Sequence, residues 1–238
     1  MAEIHIFLDN TPGVGNTSIA SLLIQHQLNK GKNVLAIDAA ATCANFIGYK
    51  SLNVEHFNMR DDNGGIDIAR FDQLFAMIND ANVDSVVIDT DSSTSLALTP
   101  YLINNDIVNV LEKQGHHVII NSVVSPFRQT ESLWSFSNVC DNFGSKNPNV
   151  IVWLNEYKEE IQHKGKRFEE FKVYRNNEEK IKSIITLGKQ TYYKDIELMR
   201  EKGFTFDEAI NSEEFSLIPT QRLKKLKAEC YEALDVAI

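Results

Sequence analysis

The sequence predicts an α/β fold: a three-layer sandwich with a mostly parallel central sheet and helices on both faces. Three observations predict it. Apolar runs of strand length alternate with longer stretches of helical period, the pattern of successive β–α–β crossovers. Runs such as Val86-Val87-Ile88 and Val118-Ile119-Ile120 are apolar without alternation, as strands covered on both faces are. A length of 238 residues with 43% hydrophobic content suits one packed domain over 1–238, because two would each have a thin core.

The elements follow in order. Strands are expected over 4–8, 33–38, 85–89, 117–124, 150–154 and 181–187. The helix 17–30 places Ile19, Leu22, Leu23 and Leu28 on one stripe, with Gly31 as its C-terminal cap. Further helices fit 66–82, 99–114, 128–142, 192–202 and 219–237. The polar, charged stretch 155–175 reads as an excursion beyond the central strands. No repeat, low-complexity tract or flexible linker interrupts the pattern.

Composition narrows the function. A net charge of −9 argues against broad electrostatic attraction to DNA. Cys43, Cys140 and Cys230 are odd in number, far apart and outside any C-x-x-C pair, which disfavours a disulfide framework or a zinc site and fits a reducing compartment. No apolar run approaches the ~20 residues of a membrane span. The N-terminal residues lack the basic region and cleavage site of a secretory signal. The expected location is cytoplasmic.

The most informative segment follows the first strand: Asp9-Asn10-Thr11-Pro12-Gly13-Val14-Gly15-Asn16-Thr17-Ser18. A glycine-containing loop between a strand and an amphipathic helix is the setting of a phosphate cradle, with backbone N–H groups and the helix dipole directed at an anion. It resembles the loop of the ParA/MinD family of P-loop ATPases, K-G-G-x-G-K-[ST]. Gly13, Val14, Gly15 and Thr17 match; Thr11 replaces the signature lysine, Pro12 a glycine and Asn16 the P-loop lysine. The likeness continues at the second strand end, where Asp38 matches the family's D-x-D-P and Ala40 replaces its water-orienting aspartate. It extends to Asp89, which closes a Walker B-like strand; to Asp91-Ser92, where a glycine is common; and to Asn155, where the family often places an adenine contact. The segments IASLLIQHQLNKGK, NFIGYKSLNV, VWLNEY, FDEAI and QRLKKLK are similar to the TraL group of conjugative plasmids over nearly the whole chain.

The resemblance implies a P-loop NTPase-like fold and a role in conjugative DNA transfer or type IV secretion, with a protein partner in that machinery. It also admits a homodimer. The cofactor it implies is ATP or ADP with Mg²⁺. The nucleotide would be held by Thr11, Gly13, Val14, Gly15, Asn16, Thr17, Ser18 and Asn155, and the metal by Thr17, Asp38 and Asp89. Phosphoryl transfer depends on positioned cations, and both lysines and the second carboxylate are missing, so no residue is assigned to catalysis and the chain reads as a pseudo-ATPase scaffold. The alternative is an authentic ParA-type ATPase of plasmid transfer or partition that borrows a cation, for example from Arg128 or Lys50.

Plainer expectations stand beside these. Gly13 and Gly15 also serve any tight βα turn, and Asp38 and Asp89 also serve as caps or loop acids. Asn155 also reads as an ordinary turn residue. His117 is expected in the core or at an edge. Trp134, Phe136 and Cys140 are expected to pack. Arg222, Lys224, Lys225 and Lys227 form a solvated helix face, or else a small patch for DNA or an acidic partner.

Overall fold

The computed structural model describes residues 1–42, 44–144 and 149–238; Cys43 lies outside them. Its centre is a seven-stranded parallel sheet. The strands are β1 (Glu3–Phe7), β2 (Val34–Asp38), β3 (Glu55–His56), β4 (Ser85–Asp89), β5 (His117–Val124), β6 (Val150–Asn155) and, after a short antiparallel hairpin of β7 (Gln162–His163) and β8 (Lys166–Arg167), β9 (Ile181–Leu187). Their order is β3-β2-β4-β1-β5-β6-β9. The N-terminal strand therefore lies at the middle, paired with β4 on one side and β5 on the other. The chain crosses from one side of β1 to the other after β4, and ligands of open α/β sheets bind at such a reversal, outside the carboxyl ends of the strands.

Period-2 side-chain alternation divides the core into two layers. One face carries Ile4, Ile6, Val86, Ile88, Val118 and Ile120 under α2 (Ala69–Asp80), α3 (Ser92–Asn104), α4 (Ile107–Lys113) and α5 (Gln129–Phe143). The other carries Phe7, Val87, Ile119, Ile151 and Trp153 under α1 (Asn16–Asn29), α7 (Tyr193–Glu201), α8 (Phe206–Asn211) and α9 (Leu217–Ala237). The single turn α6 (Lys172–Arg175) follows the hairpin. On the second face fully buried His5 lies within 3.4 Å of Gln27 Nε2, and Trp153 donates to Asn121 Oδ1 at 2.9 Å. Burial pushes the His5 imidazole down to about 3, so it stays neutral.

Several expectations need correction. The helix expected over 99–114 is two: α3 begins at Ser92, capped by Asp91, and the chain breaks at Asp106, whose φ is 53°. Pro100 sits within α3 on the solvent side, where its missing N–H costs least. Leu28 leaves the stripe and is exposed, whereas α1 is buried nearly all round over 19–27 because it lies between the sheet and the α8–α9 layer. Trp134 is 62% exposed: Phe136 and Cys140 are four apart and share the buried face, while position 134 turns about 200° from 136. His117 is exposed at the strand start and His116 is the buried one, its Nδ1 accepting the Ala2 N–H. The stretch 155–175 folds back on the sheet layer, anchored by Phe168 between Phe136, Phe171 and Tyr174. The remaining cysteines, Cys140 and Cys230, are buried thiols on opposite faces. No helix among the described residues is long and apolar enough to cross a membrane.

Candidate functional site

The carboxyl ends of β1, β2 and β4 meet in a cavity of about 390 Å³. The loop from Asp9 to Ser18 forms its floor, and Ala40, Thr42, Asp89, Asp91 and Arg200 are among its walls. The loop is held from below. Asp9 is buried; its carboxylate accepts the Thr11 N–H at 2.8 Å and the Val123 N–H at 3.3 Å, and its own N–H donates to Ser95 Oγ. Burial raises the Asp9 carboxyl to about 7, against the pull of those two amides. Gly13 and Gly15 take φ of 81° and 108°, which L side chains rarely adopt. Gly15 ends the loop, and its carbonyl receives the Ile19 N–H that starts α1. Among the described residues, the backbone N–H groups of Gly13 through Ser18 donate to no protein acceptor. That is the donor set of an anion nest at a helix N-terminus.

Asn155, at the end of β6, reaches across to this loop. Its Nδ2 donates to the Val14 carbonyl at 2.7 Å, and a Cβ on Gly15 would stand 2.4 Å from that nitrogen. Asn155 therefore clamps the loop in this structure, and only glycine fits beneath it.

Thr17 donates its hydroxyl to Asp89 Oδ2 at 2.6 Å. Asp89 is buried, with its carboxyl raised to about 7 by burial, against the Thr17 bond. Its Oδ1 has no hydrogen-bond partner among the described residues. A buried, orphaned carboxylate oxygen beside a loop hydroxyl at this cavity fits a hydrated divalent cation. Asp38 is occupied differently: Oδ1 accepts the Ala40 N–H at 3.0 Å, and Oδ2 accepts those of Phe46 at 2.9 Å and Ile47 at 3.4 Å. It fixes the turn after β2, and burial raises its carboxyl against those amides. Thr11 is buried beside Asp9, and Asn16 is half-buried with its Oδ1 unpartnered. The loop thus offers unpaired amides and, beside them, the Thr17–Asp89 pair, without a lysine.

Three residues at the site had no role assigned from the sequence. Asp91 caps α3 through the Thr94 N–H at 2.8 Å and binds both the N–H and the hydroxyl of Thr42, stapling the turn after β2 to α3. Burial opposes ionisation there, but these donors and Ser93 outweigh it and hold the Asp91 carboxyl below its usual range. Asp9 is the loop's anchor. Arg200, in the last turn of α7, is the one cation lining the cavity among the described residues. Arg128 and Lys50 are exposed and do not line it. Acid-plus-hydroxyl spacing could have flagged Asp91 as a cap; nothing local marks Arg200, which topology brings in from far along the chain. In the α9 cluster, Arg222 pairs with Asp195, Lys225 with Glu229 and Lys227 with Asp207, a pattern that favours the solvated face.

Fold and loop together define the class: an α/β protein with the P-loop NTPase fold of the MinD/ParA kind. Among solved structures, MinD from Pyrococcus horikoshii complexed with Mg-ADP superposes with a TM-score of 0.56 at 15% identity, covering 100% of this chain and 99% of that one. The Aquifex aeolicus MinC:MinD complex matches with a TM-score of 0.56 at 16% identity over 96% and 95% of the two chains. No protein-family model matches. Two Escherichia coli proteins, each called Protein TraL, are 35% and 34% identical over 241 aligned positions, covering 100% of this chain and 99% of theirs. The chain belongs to the TraL family.

Proposed function

We propose that this chain is an accessory protein of conjugative DNA transfer or type IV secretion. In this reading it binds nucleotide weakly, hydrolyses ATP slowly or not at all, and acts as a scaffold for another transfer protein. One observation carries this reading: a loop cavity that keeps its unpaired amides and its Thr17–Asp89 pair while Asn16, Thr11 and Ala40 stand at the positions of the charged groups of hydrolysis. Removing one preorganised stabiliser of a transition state costs about 10²–10³ in rate, and groups acting as a unit do not compensate one another. TraL kinship supports the transfer role, and nucleotide with Mg²⁺ is the ligand class the loop suits.

The test has two arms. Phosphate release by the purified chain with MgATP should stay near the buffer blank, and turnover at the 1 s⁻¹ scale of ordinary enzymes would reject the pseudo-ATPase reading. Deleting the gene from its plasmid should lower transfer frequency, with recovery by the wild-type gene in trans; unchanged transfer would reject the role itself. The second reading, an authentic ATPase with a borrowed cation, is favoured by a single feature, Arg200 at the cavity wall.

A further inference from the structure

We infer that Arg200 is the cation of the loop cavity: from α7 it takes over the charge-neutralising place that Asn16 leaves vacant and holds a phosphate-bearing anion against the loop amides. This rests on the reading of the loop as a phosphate cradle.

Position comes first. Arg200 lines the loop cavity, an adjoining largely apolar cavity of about 330 Å³, and a groove of about 400 Å³ against Thr17 and Ser18. It is the residue at which all three meet, together with Ser18. Availability comes second. On its side of the molecule Lys158, Lys202, Arg222 and Lys227 each pair with a carboxylate, but the Arg200 side chain makes no ion pair or hydrogen bond among the described residues. Its guanidinium instead lies over the Tyr157 ring, 4.4 Å from the centroid. That contact uses the ring face and consumes no hydrogen-bond donor, so the guanidinium N–H groups remain available to phosphate oxygens.

Anchoring comes third. Gly203, in the turn after α7 with φ of 65°, abuts the Gly48 carbonyl, which a Cβ would approach to 2.5 Å. Gly48 belongs to the turn that Asp38 fixes through Phe46 and Ile47. The end of α7 is thereby pinned to the rim of the site. An independent observation comes from the same cavity, where buried Asp89 Oδ1 has no partner among the described residues. A cation and an orphaned carboxylate lining one cavity suit a phosphate group that carries its own metal ion.

The test is calorimetry on the full chain with two probes, MgADP and inorganic pyrophosphate, against wild type, Arg200→Gln, Arg200→Lys and Arg200→Gln with Asn16→Lys. The expected result is a roughly 10- to 100-fold loss of affinity for both probes in Arg200→Gln, the worth of one charge-assisted contact. Arg200→Lys should retain part of the affinity, and Asn16→Lys should restore it in the double variant. Matching thermal melts report that the half-buried position tolerates the change. Equal affinity in wild type and Arg200→Gln overturns the inference, as does wild type binding neither probe at millimolar concentration; both results leave the non-hydrolysing scaffold standing. Rapid phosphate release from ATP by wild type sinks that scaffold reading instead, and the affinity ratio alone then decides the role of Arg200.

Discussion

At position 15 two constraints coincide. The backbone is left-handed at φ 108°, and the space above Cα is taken by Asn155 Nδ2. Gly15→Ala should therefore destabilise the fold by at least about 1–2 kcal/mol, the cost of a side chain in left-handed backbone. Adding Asn155→Ala should recover only part, because it removes the collision and leaves the φ. Urea midpoints of the three variants check this; full recovery in the double variant would show that φ costs nothing here. Asp89 gives a pH-dependent expectation. Its carboxyl titrates near 7 in the fold against 3.8 ordinarily. Between those values the unfolded chain releases the proton and the folded chain keeps it, so the penalty on folding grows as pH rises from about 4 to 7 and is complete above 7. Asp89→Asn removes that penalty while still accepting the Thr17 hydroxyl. It should melt a few degrees higher than wild type at pH 8 and by a clearly smaller margin at pH 4.5, as differential scanning calorimetry would read. A gain of equal size at both pH values would mean that ionisation is not the source.

Among the elements, the turn after β2 and the start of α3 behave as one piece through Asp91. Asp91→Ala removes an N-terminal cap, worth about 0.5–2 kcal/mol, and releases the Thr42 N–H at the same stroke. Hydrogen exchange should then quicken at both Thr42 and Thr94; protection retained at Thr42 would mean that Ala41, which donates to Thr94 Oγ1, holds the turn alone. Element existence was readable wherever the apolar signal was long. The six main strands and α1, α2, α5, α7 and α9 lie within a few residues of expectation because each buries a run or a stripe. Two-residue pairings such as β3 and the β7–β8 hairpin carry too few residues for a period, and the six-residue α8 was missed for the same reason. The split of α3 from α4 turns on a single left-handed Asp106, which no periodicity encodes. The loop was legible because its chemistry is contiguous. Arg200 and the clamp by Asn155 were not, since each acts through a contact made only when distant elements stack.

For the molecule as a whole, the sharpest expectation concerns self-association. The resemblance to ParA/MinD ATPases places a partner-reaching lysine where Thr11 stands. Here that residue is short, uncharged and buried, with its N–H bonded to Asp9. MgATP should therefore leave the mass in multi-angle light scattering unchanged, and a nucleotide-dependent doubling would overturn this. The central place of β1 has another consequence, in the order of synthesis. β1 is translated well before the strands it pairs with, Ser85–Ile88 on one side and His117–Asn121 on the other. The contacts that shape the loop after it come later too: Ser95, Val123 and finally Asn155. At about 5–20 residues per second, roughly 6–30 s of translation separate the making of the loop from the arrival of its last anchor. Until Ser85–Ile88 is made, this apolar strand has neither of its sheet neighbours to pair with. A nascent chain of this topology is exposed to chaperones and to mispairing chiefly at β1, the strand that waits longest for its partners.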